Sequence, residues 1–179
     1  MFLVLMSIEH FIILIVTLLI IALSLYLFLI NQKKKKLFIT QVIHKLINEK
    51  MENVQYLKKN IYDITFKSSN RNFFIKLYKG GKRKGFVMTN PFTIHEQKYK
   101  SEYGPSIKSE HLDNLTSFLL EKLDGIKIIL IKDNLLRITK YINENEIEEV
   151  RYNEPSFGVY IVQEKDLDSF IELIKRKRK

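Results

Sequence analysis

Residues 11–30 read FIILIVTLLIIALSLYLFLI and contain no charged residue, no proline and no glycine. A helix of this length rises about 30 Å, at about 1.5 Å per residue, which matches the hydrocarbon core of a bilayer. Its only polar side chains are those of Thr17, Ser24 and Tyr26, which a transmembrane helix tolerates. The stretch therefore predicts a single-pass membrane span.

Two other interpretations of this stretch fit less well. A cleavable signal peptide has a basic start and a small-residue cleavage site, whereas here Glu9 and His10 precede the apolar core and Ala22 is the only alanine of the chain. A buried core helix of a soluble domain is usually shorter than this stretch. We therefore expect the segment to be retained as an anchor.

Four lysines, Lys33, Lys34, Lys35 and Lys36, follow the span directly. Positive residues beside a span remain on the cytoplasmic side, so the N-terminus is expected outside and residues 37–179 inside. Lysines at this position also contact anionic lipid. The absence of cysteine fits a reducing compartment. We expect an anchor with its basic run at 1–36, a cytoplasmic α/β domain at 37–174 and a basic tail at 175–179.

The net charge of +10 is concentrated at two places. The lysine run after the span and the tail KRKRK carry nine of these charges, so the domain between them is close to neutral. Net charge alone therefore does not make the domain a nucleic-acid binder. For the tail, a solvated helix end, lipid contact and nucleic-acid contact all remain open.

Residues 37–58 keep helical spacing, and no glycine or proline separates them from the span, so we predict that the helix continues into them. The other elements follow from alternation, turn residues and apolar spacing. They are strands at 61–67, 73–79 and 86–95 (the last edge-like or bent at Pro91), a helix from about 109 capped by Ser106 or Ser109 and ending at Gly125, a buried strand at 126–131, a short helix at 134–142, an ambiguous stretch at 144–150, a strand at 157–163 and a helix at 166–175.

This order, with Asp63 on one strand and Lys76 on the next, resembles the PD-(D/E)XK, or restriction-endonuclease-like, fold over about residues 37–133. The resemblance implies an αβββαβ mixed-sheet domain, here with an extra C-terminal strand and helix. In that family an Asp and an acidic-x-Lys motif hold Mg²⁺ and activate a water. Asp63 and Lys76 match the family's Asp and Lys, but Phe74 occupies the acidic position. Residues 140–146 and 157–162 also resemble single-span membrane proteins of AT-rich bacteria.

The hairpin between these strands has two possible registers. A loop of two or four residues centred between Ser69 and Asn70 places Asp63 opposite Lys76 on one face, whereas a loop of three or five residues places them on opposite faces. A facing pair is either a cross-strand ion pair or a working or remnant metal site. Displaced carboxylates for such a site are Glu49, Glu52 or Glu96.

Three further patterns are candidate sites. Lys82, Arg83 and Lys84, in a glycine-flanked turn that lacks the phosphate-loop motif, could bind phosphate or be a solvated turn. The pairs His95-Glu96 and His111-x-Asp113 lack a second histidine at the spacing of a zinc helix, so no metal site is predicted. The acidic residues Glu144, Glu146, Glu148 and Glu149 form either a solvated face or a site for a partner or a cation.

The sequence thus favours a catalytically degenerate, nuclease-like interaction module at the inner membrane face. Its expected partner is a protein or a nucleic acid, in addition to the lipid around the anchor. The alternative is a membrane-tethered nuclease that uses Asp63, Lys76 and Mg²⁺. Only this alternative requires a cofactor, and no pattern indicates a small-molecule substrate.

Overall fold

The computed structural model describes residues 8–57, 61–102, 104–143 and 146–176, and the chain divides into two compact units, 1–42 and 43–179. Helix α1 (Ile8–Asn48) runs through the apolar stretch and the four lysines without a break, as predicted. Within the described residues, it is the one helix long and apolar enough to span a membrane, and no part of its most apolar window is buried. These features are consistent with a membrane anchor.

Helix α1 ends ten residues earlier than the sequence predicts. Lys50 adopts a left-handed φ of 57°, and the Met51 and Lys50 amides donate to the Leu46 and Ile47 carbonyls at 3.0 and 2.9 Å. This is the Schellman arrangement, which satisfies the last carbonyls of a helix and turns the chain away from its axis. Residues 52–56 therefore form a strand, and the helix predicted there is wrong.

The described part of the second unit contains ten strands, two further α-helices and one 3₁₀ turn, Glu164–Asp166. The strands are β1 (Glu52–Tyr56), β2 (Ile64–Ser68), β3 (Arg71–Lys79), β4 (Lys84–Asn90), β5 (Thr93–Tyr99), β6 (Ser106–His111), β7 (Ile126–Lys132), β8 (Arg137–Asn143), β9 (Glu146–Glu149) and β10 (Val159–Gln163), and the helices are α2 (Asp113–Leu120) and α3 (Leu167–Arg176). The unit is therefore mixed α/β, as predicted.

Two mixed five-stranded sheets result. Sheet A has the order β1-β2-β3-β7-β10, with β1, β2 and β3 antiparallel and with β3, β7 and β10 parallel. Sheet B has the order β6-β5-β4-β8-β9, in which only β4 and β8 are parallel. Six strands, not three, lie between the first two helices, so the predicted αβββ start of the domain is wrong in its strand count.

The extra strands have identifiable causes. Pro91 lies in a hairpin turn, where the Asn90 carboxamide accepts a hydrogen bond from the Phe92 amide at 2.9 Å, so the chain reverses there. Residues 106–111, predicted as a connection and a helix start, pair with β5, and residues 137–143, predicted as a helix, pair with β4 and β9. In both cases strand pairing overrides local preference, with the preceding strand β5 for residues 106–111 and with the distant strand β4 for residues 137–143.

Helix α2 is shorter than predicted. It begins at Asp113 without a side-chain cap and ends at Leu120, where the Lys127 ammonium donates to the Leu119 carbonyl. Gly125 does not terminate it. A Cβ at Gly125 would lie 2.4 Å from the Asn72 carbonyl oxygen, so this glycine instead permits a close approach to the start of β3.

The central part of sheet A is buried on both faces, whereas its edge strand β1 is largely exposed. One face joins sheet B and α2 in a single core cluster that contains Phe86, Met88, Ile94, Leu115, Phe118, Ile129, Ile131, Ile138, Val159 and Ile161. The other face packs, through Phe66, Ile75, Ile128 and Leu130, against Leu46 and α3. Helix α3 buries Leu167, Phe170, Ile171 and Ile174, which are the four residues predicted to face inward.

The two sheets are joined where β3 continues into β4 and β7 continues into β8. The Gly80 amide donates to the Lys132 carbonyl at 2.6 Å, and the Leu136 amide donates to the Lys84 carbonyl at 2.7 Å. A Cβ at Gly80 would lie 2.0 Å from the Asp133 carbonyl oxygen, so only glycine fits there. This junction places the end of β3 beside the start of β4.

Candidate functional site

The β2–β3 hairpin brings Asp63 and Lys76 together. Its loop has two residues, Ser69 and Asn70, whose positive φ values of 52° and 60° suit the turn that matches strand twist. The Lys76 Nζ lies 3.9 Å from the Asp63 Oδ2, which also accepts the Leu77 amide at 2.8 Å. The two side chains are 13% and 15% exposed. The facing register is therefore the one that forms.

The other parts of a nuclease-like site are arranged differently. Phe74 packs edge-on against Tyr62, with ring centroids 4.8 Å apart, so the acidic position of the motif is filled by a core-packing ring. Glu49 forms an ion pair with Lys175, and Glu52 of β1 lies opposite Lys67 of β2. Within the described ranges, no group of three or more His, Cys, Asp or Glu residues is placed to hold a metal ion.

Glu96, the third candidate carboxylate, lies inside the junction between the sheets. It is 4% exposed and accepts a hydrogen bond from the Tyr78 hydroxyl and another, at 2.8 Å, from the Lys84 ammonium. Burial, followed by the hydrogen bond to Glu96, raises the pKa of Tyr78 well above its ordinary value. A carboxylate buried at this depth requires such partners, and Tyr78 and Lys84 supply them.

A row of lysines crosses sheet B beside this carboxylate. In the strand register, Lys84 of β4 is opposite Lys98 of β5, which is opposite Lys108 of β6; we call these three residues the lysine row. Their side chains are 33%, 42% and 60% exposed, so exposure increases toward the edge strand β6.

Two carboxylates, each two residues along its strand from a lysine of the row, partly neutralise the charge of the lysine row. Glu96 lies opposite Glu110, and the lysines approach them at 2.8 to 4.0 Å. The hydrogen bond from Lys108 is the largest cause of a lowered pKa at Glu110. Like charges directly opposite on a sheet are unfavourable, and three ammonium groups share two carboxylates here. The row therefore keeps a net positive charge at a partly exposed surface.

The sequence located only one member of this row. Lys82 and Arg83 lie exposed in the turn before β4, whereas Lys84 begins the strand and bonds to Glu96. The predicted group of three is thus divided between a solvated turn and the lysine row. The missed signal was the two-residue spacing of charges, Glu96 to Lys98 and Lys108 to Glu110, in a stretch predicted as an irregular connection and the start of a helix.

The remaining candidates take ordinary structural positions. His95 and His111 are cross-strand neighbours with ring centroids 5.3 Å apart, and the His111 Nε2 lies 3.4 Å from Asp113. In the acidic segment, Glu148 pairs with Lys140 at 2.8 Å, and Glu144 lies outside the described residues.

The lysine run after the span lies wholly within the described residues, and the C-terminal run lies partly within them. The side chains of Lys33, Lys34, Lys35 and Lys36 are exposed on α1. In the C-terminal run, Lys175 bonds to Glu49 and Glu172, and these hydrogen bonds raise its pKa. Residues 177–179 lie outside the described part.

No protein-family model, no curated protein and no solved structure matches this chain.

Proposed function

We propose that this protein is a membrane-anchored interaction module whose lysine row binds the phosphates of a nucleic acid. The observation that carries the proposal is the cross-strand alignment of Lys84, Lys98 and Lys108. Neighbouring strands lie about 4.8 Å apart, so three strands space the ammonium groups over about 10 Å. One strand of a nucleic-acid duplex carries a phosphate about every 3.4 Å along the helix axis, so a row of this length spans about three phosphates.

The anchor sets the location in this proposal. Helix α1 crosses the membrane, and Lys33, Lys34, Lys35 and Lys36 hold its C-terminal side in the cytoplasm, against anionic lipid. The N-terminus then lies outside, and the module works at the inner membrane face.

Loss of catalysis is the second part of the proposal. Two features support this part: Asp63 and Lys76 face each other, as the resemblance expects, and β7 lies parallel beside β3 after the intervening strands β4, β5 and β6 and helix α2. Phe74 replaces the acidic ligand and packs against Tyr62. An apolar ring cannot coordinate Mg²⁺, so this geometry favours binding without cleavage.

The test measures binding by the full chain in phosphatidylcholine nanodiscs. Fluorescence anisotropy with a labelled single-stranded 20-mer, RNA or DNA, is expected to show affinity that falls steeply with salt. The double variant Lys98→Gln/Lys108→Gln should weaken binding at least tenfold and lower the salt slope by about 1.4, since each phosphate contact on a single strand contributes about 0.7.

Lys122→Gln/Lys165→Gln is the matched control, because it removes two exposed charges outside the row. An equal loss in this control would mean that only net charge matters and would contradict the proposal. Binding of polyglutamate but not of either nucleic acid would replace it with an acidic protein partner.

A second candidate, a Mg²⁺-dependent nuclease, is favoured by one observation. Tyr78 lies two residues after Lys76 on β3, so both side chains share a face, and Tyr78 bonds to the displaced carboxylate candidate Glu96. Incubation of plasmid DNA and RNA with Mg²⁺ or Mn²⁺ tests it. Cleavage that disappears in Asp63→Ala and Lys76→Met would replace the binding module with an enzyme, and intact substrates would leave the binding module in place.

A further inference from the structure

A cavity of about 240 Å³ lies between the tip of the β2–β3 hairpin and α3. An engineered apolar cavity of about 150 Å³ is large enough to bind benzene, so this one can hold an aromatic ring or a short hydrocarbon chain. Most of its wall is apolar or aromatic, and this part consists of Phe73, Ile126, Tyr160, Phe170, Leu173 and Ile174.

One polar group in the wall is buried without a partner. Ser68 is 1% exposed, and its Oγ has no hydrogen-bond partner among the residues that the structure describes. Buried hydroxyls in native proteins are nearly always hydrogen-bonded, so this one is left with an unused hydrogen bond. The Oγ is closed off from the cavity as it stands, so a ligand there reaches it only after the side chain rotates about χ1 to another staggered position.

A cationic residue lies across the hairpin from Ser68. Arg71 also lines the cavity, and it faces Ser68 as the cross-strand partner that closes the two-residue hairpin. Its side chain is exposed, and it takes part in none of the ion pairs of the described chain. The planar guanidinium fork matches a carboxylate with two parallel hydrogen bonds.

From these features we propose that the cavity binds a small amphipathic carboxylate with an apolar body of about six to eight carbons. The carboxylate bonds to Arg71 and, after rotation of Ser68 about χ1, to the Ser68 hydroxyl, and the hydrocarbon lies between Phe73 and Phe170. The site is independent of the lysine row, because Ser68 lies on the face of sheet A that packs against α3, opposite the face that carries Asp63 and Lys76.

The test titrates octanoate and benzoate into the full chain in phosphatidylcholine nanodiscs, with ¹³C-labelled isoleucine δ1 methyl groups. Saturable shifts are expected for Ile126 and Ile174 and not for Ile94 and Ile138, which belong to the other core. Free ligand is measured against empty nanodiscs to correct for partitioning. The acid that binds more tightly shows whether the cavity prefers an aliphatic or an aromatic body.

Arg71→Gln should weaken binding at least tenfold, whereas Lys79→Gln, which removes an exposed charge at the other end of β3, should leave it unchanged. Ser68→Ala should weaken binding about threefold and also raise the thermal midpoint of the ligand-free protein, because it removes an unpaired buried hydroxyl.

Absence of saturable shifts with both acids would overturn the proposal, as would equal binding by Arg71→Gln. Equal binding of octanol or octylammonium would also overturn it, because neither carries an anionic group for Arg71.

Discussion

The Tyr78 hydroxyl donates a hydrogen bond to the Glu96 carboxylate, and this bond connects β3 of sheet A to β5 of sheet B. The Tyr78 ring also packs edge-on against Phe86, with centroids 4.7 Å apart. A charged group in the junction between two sheets is thereby held by one neutral and one cationic donor, since Lys84 completes its bonding.

Tyr78→Phe should reduce stability in a pH-dependent way. Burial and the bond to Glu96 raise the pKa of Tyr78 above its ordinary value of 10.0, so the folded protein holds this proton after the unfolded chain has released it. The free energy of unfolding should therefore fall as pH rises above about 10, and this part of the fall should be absent in Tyr78→Phe. At pH 7 the variant should lose about 1–3 kcal/mol, because Glu96 loses a donor.

Urea unfolding in non-ionic detergent from pH 8 to 11, followed by circular dichroism, measures this difference. Other groups that titrate in this range, such as Lys127, whose pKa is lowered by desolvation, are common to both proteins. Tyr56→Phe, at an exposed tyrosine of β1, is the control. Parallel stability curves for the native chain and Tyr78→Phe would contradict the expectation.

Neighbouring glycines at the sheet junction should respond differently to the same change. In Gly80→Ala the new Cβ would overlap the Asp133 carbonyl at 2.0 Å, so we expect a loss of about 1–3 kcal/mol or more. In Gly81→Ala the Cβ meets only the Lys84 side chain, at 3.4 Å, and stability should change by less than about 0.5 kcal/mol. Thermal unfolding of both variants measures the contrast, and similar midpoints would refute it.

Asp63→Ala should cost more stability than Lys76→Met. The Asp63 carboxylate serves both the Lys76 ammonium and the Leu77 amide, so its removal leaves a partly buried donor without its acceptor and costs about 1–3 kcal/mol. Removal of Lys76 leaves the bond to Leu77 intact. A double-mutant cycle by urea unfolding should give a coupling of about 0.5–1 kcal/mol, and zero coupling would mean that the pair contributes nothing to the fold.

Replacing Lys33, Lys34, Lys35 and Lys36 with glutamine should produce a mixed membrane orientation, because no Lys or Arg precedes the span. The chain has no cysteine, so Ser101→Cys gives a unique label on the exposed surface of the domain. This cysteine should resist a membrane-impermeant maleimide in intact cells and react partly once the lysines are replaced.

Arginine at the same four positions is the control for this experiment, because it keeps the charge and should preserve protection. Full labelling of the native anchor in intact cells would place the domain outside and contradict the proposed orientation.

The sequence by itself determined the elements whose signals are local. The apolar stretch predicted the membrane-spanning part of helix α1. The two-residue loop at Ser69 and Asn70 is one of the two loop lengths that were predicted to place Asp63 opposite Lys76. The apolar run at 126–131 predicted the buried strand β7, and the spacing in α3 predicted its inward face. Each of these follows from side-chain period or turn chemistry within a few residues.

Only the tertiary structure decided the rest. Residues 52–56 and 106–111 became strands by pairing with the neighbouring strands β2 and β5, and residues 137–143 by pairing with the distant strand β4. The lysine row and the Tyr78–Glu96 bond depend on the register of those pairings. Where no tight turn connects two strands, their register is set by which sheet edges are free and which faces are apolar once the chain has collapsed. No short stretch of sequence encodes such a register.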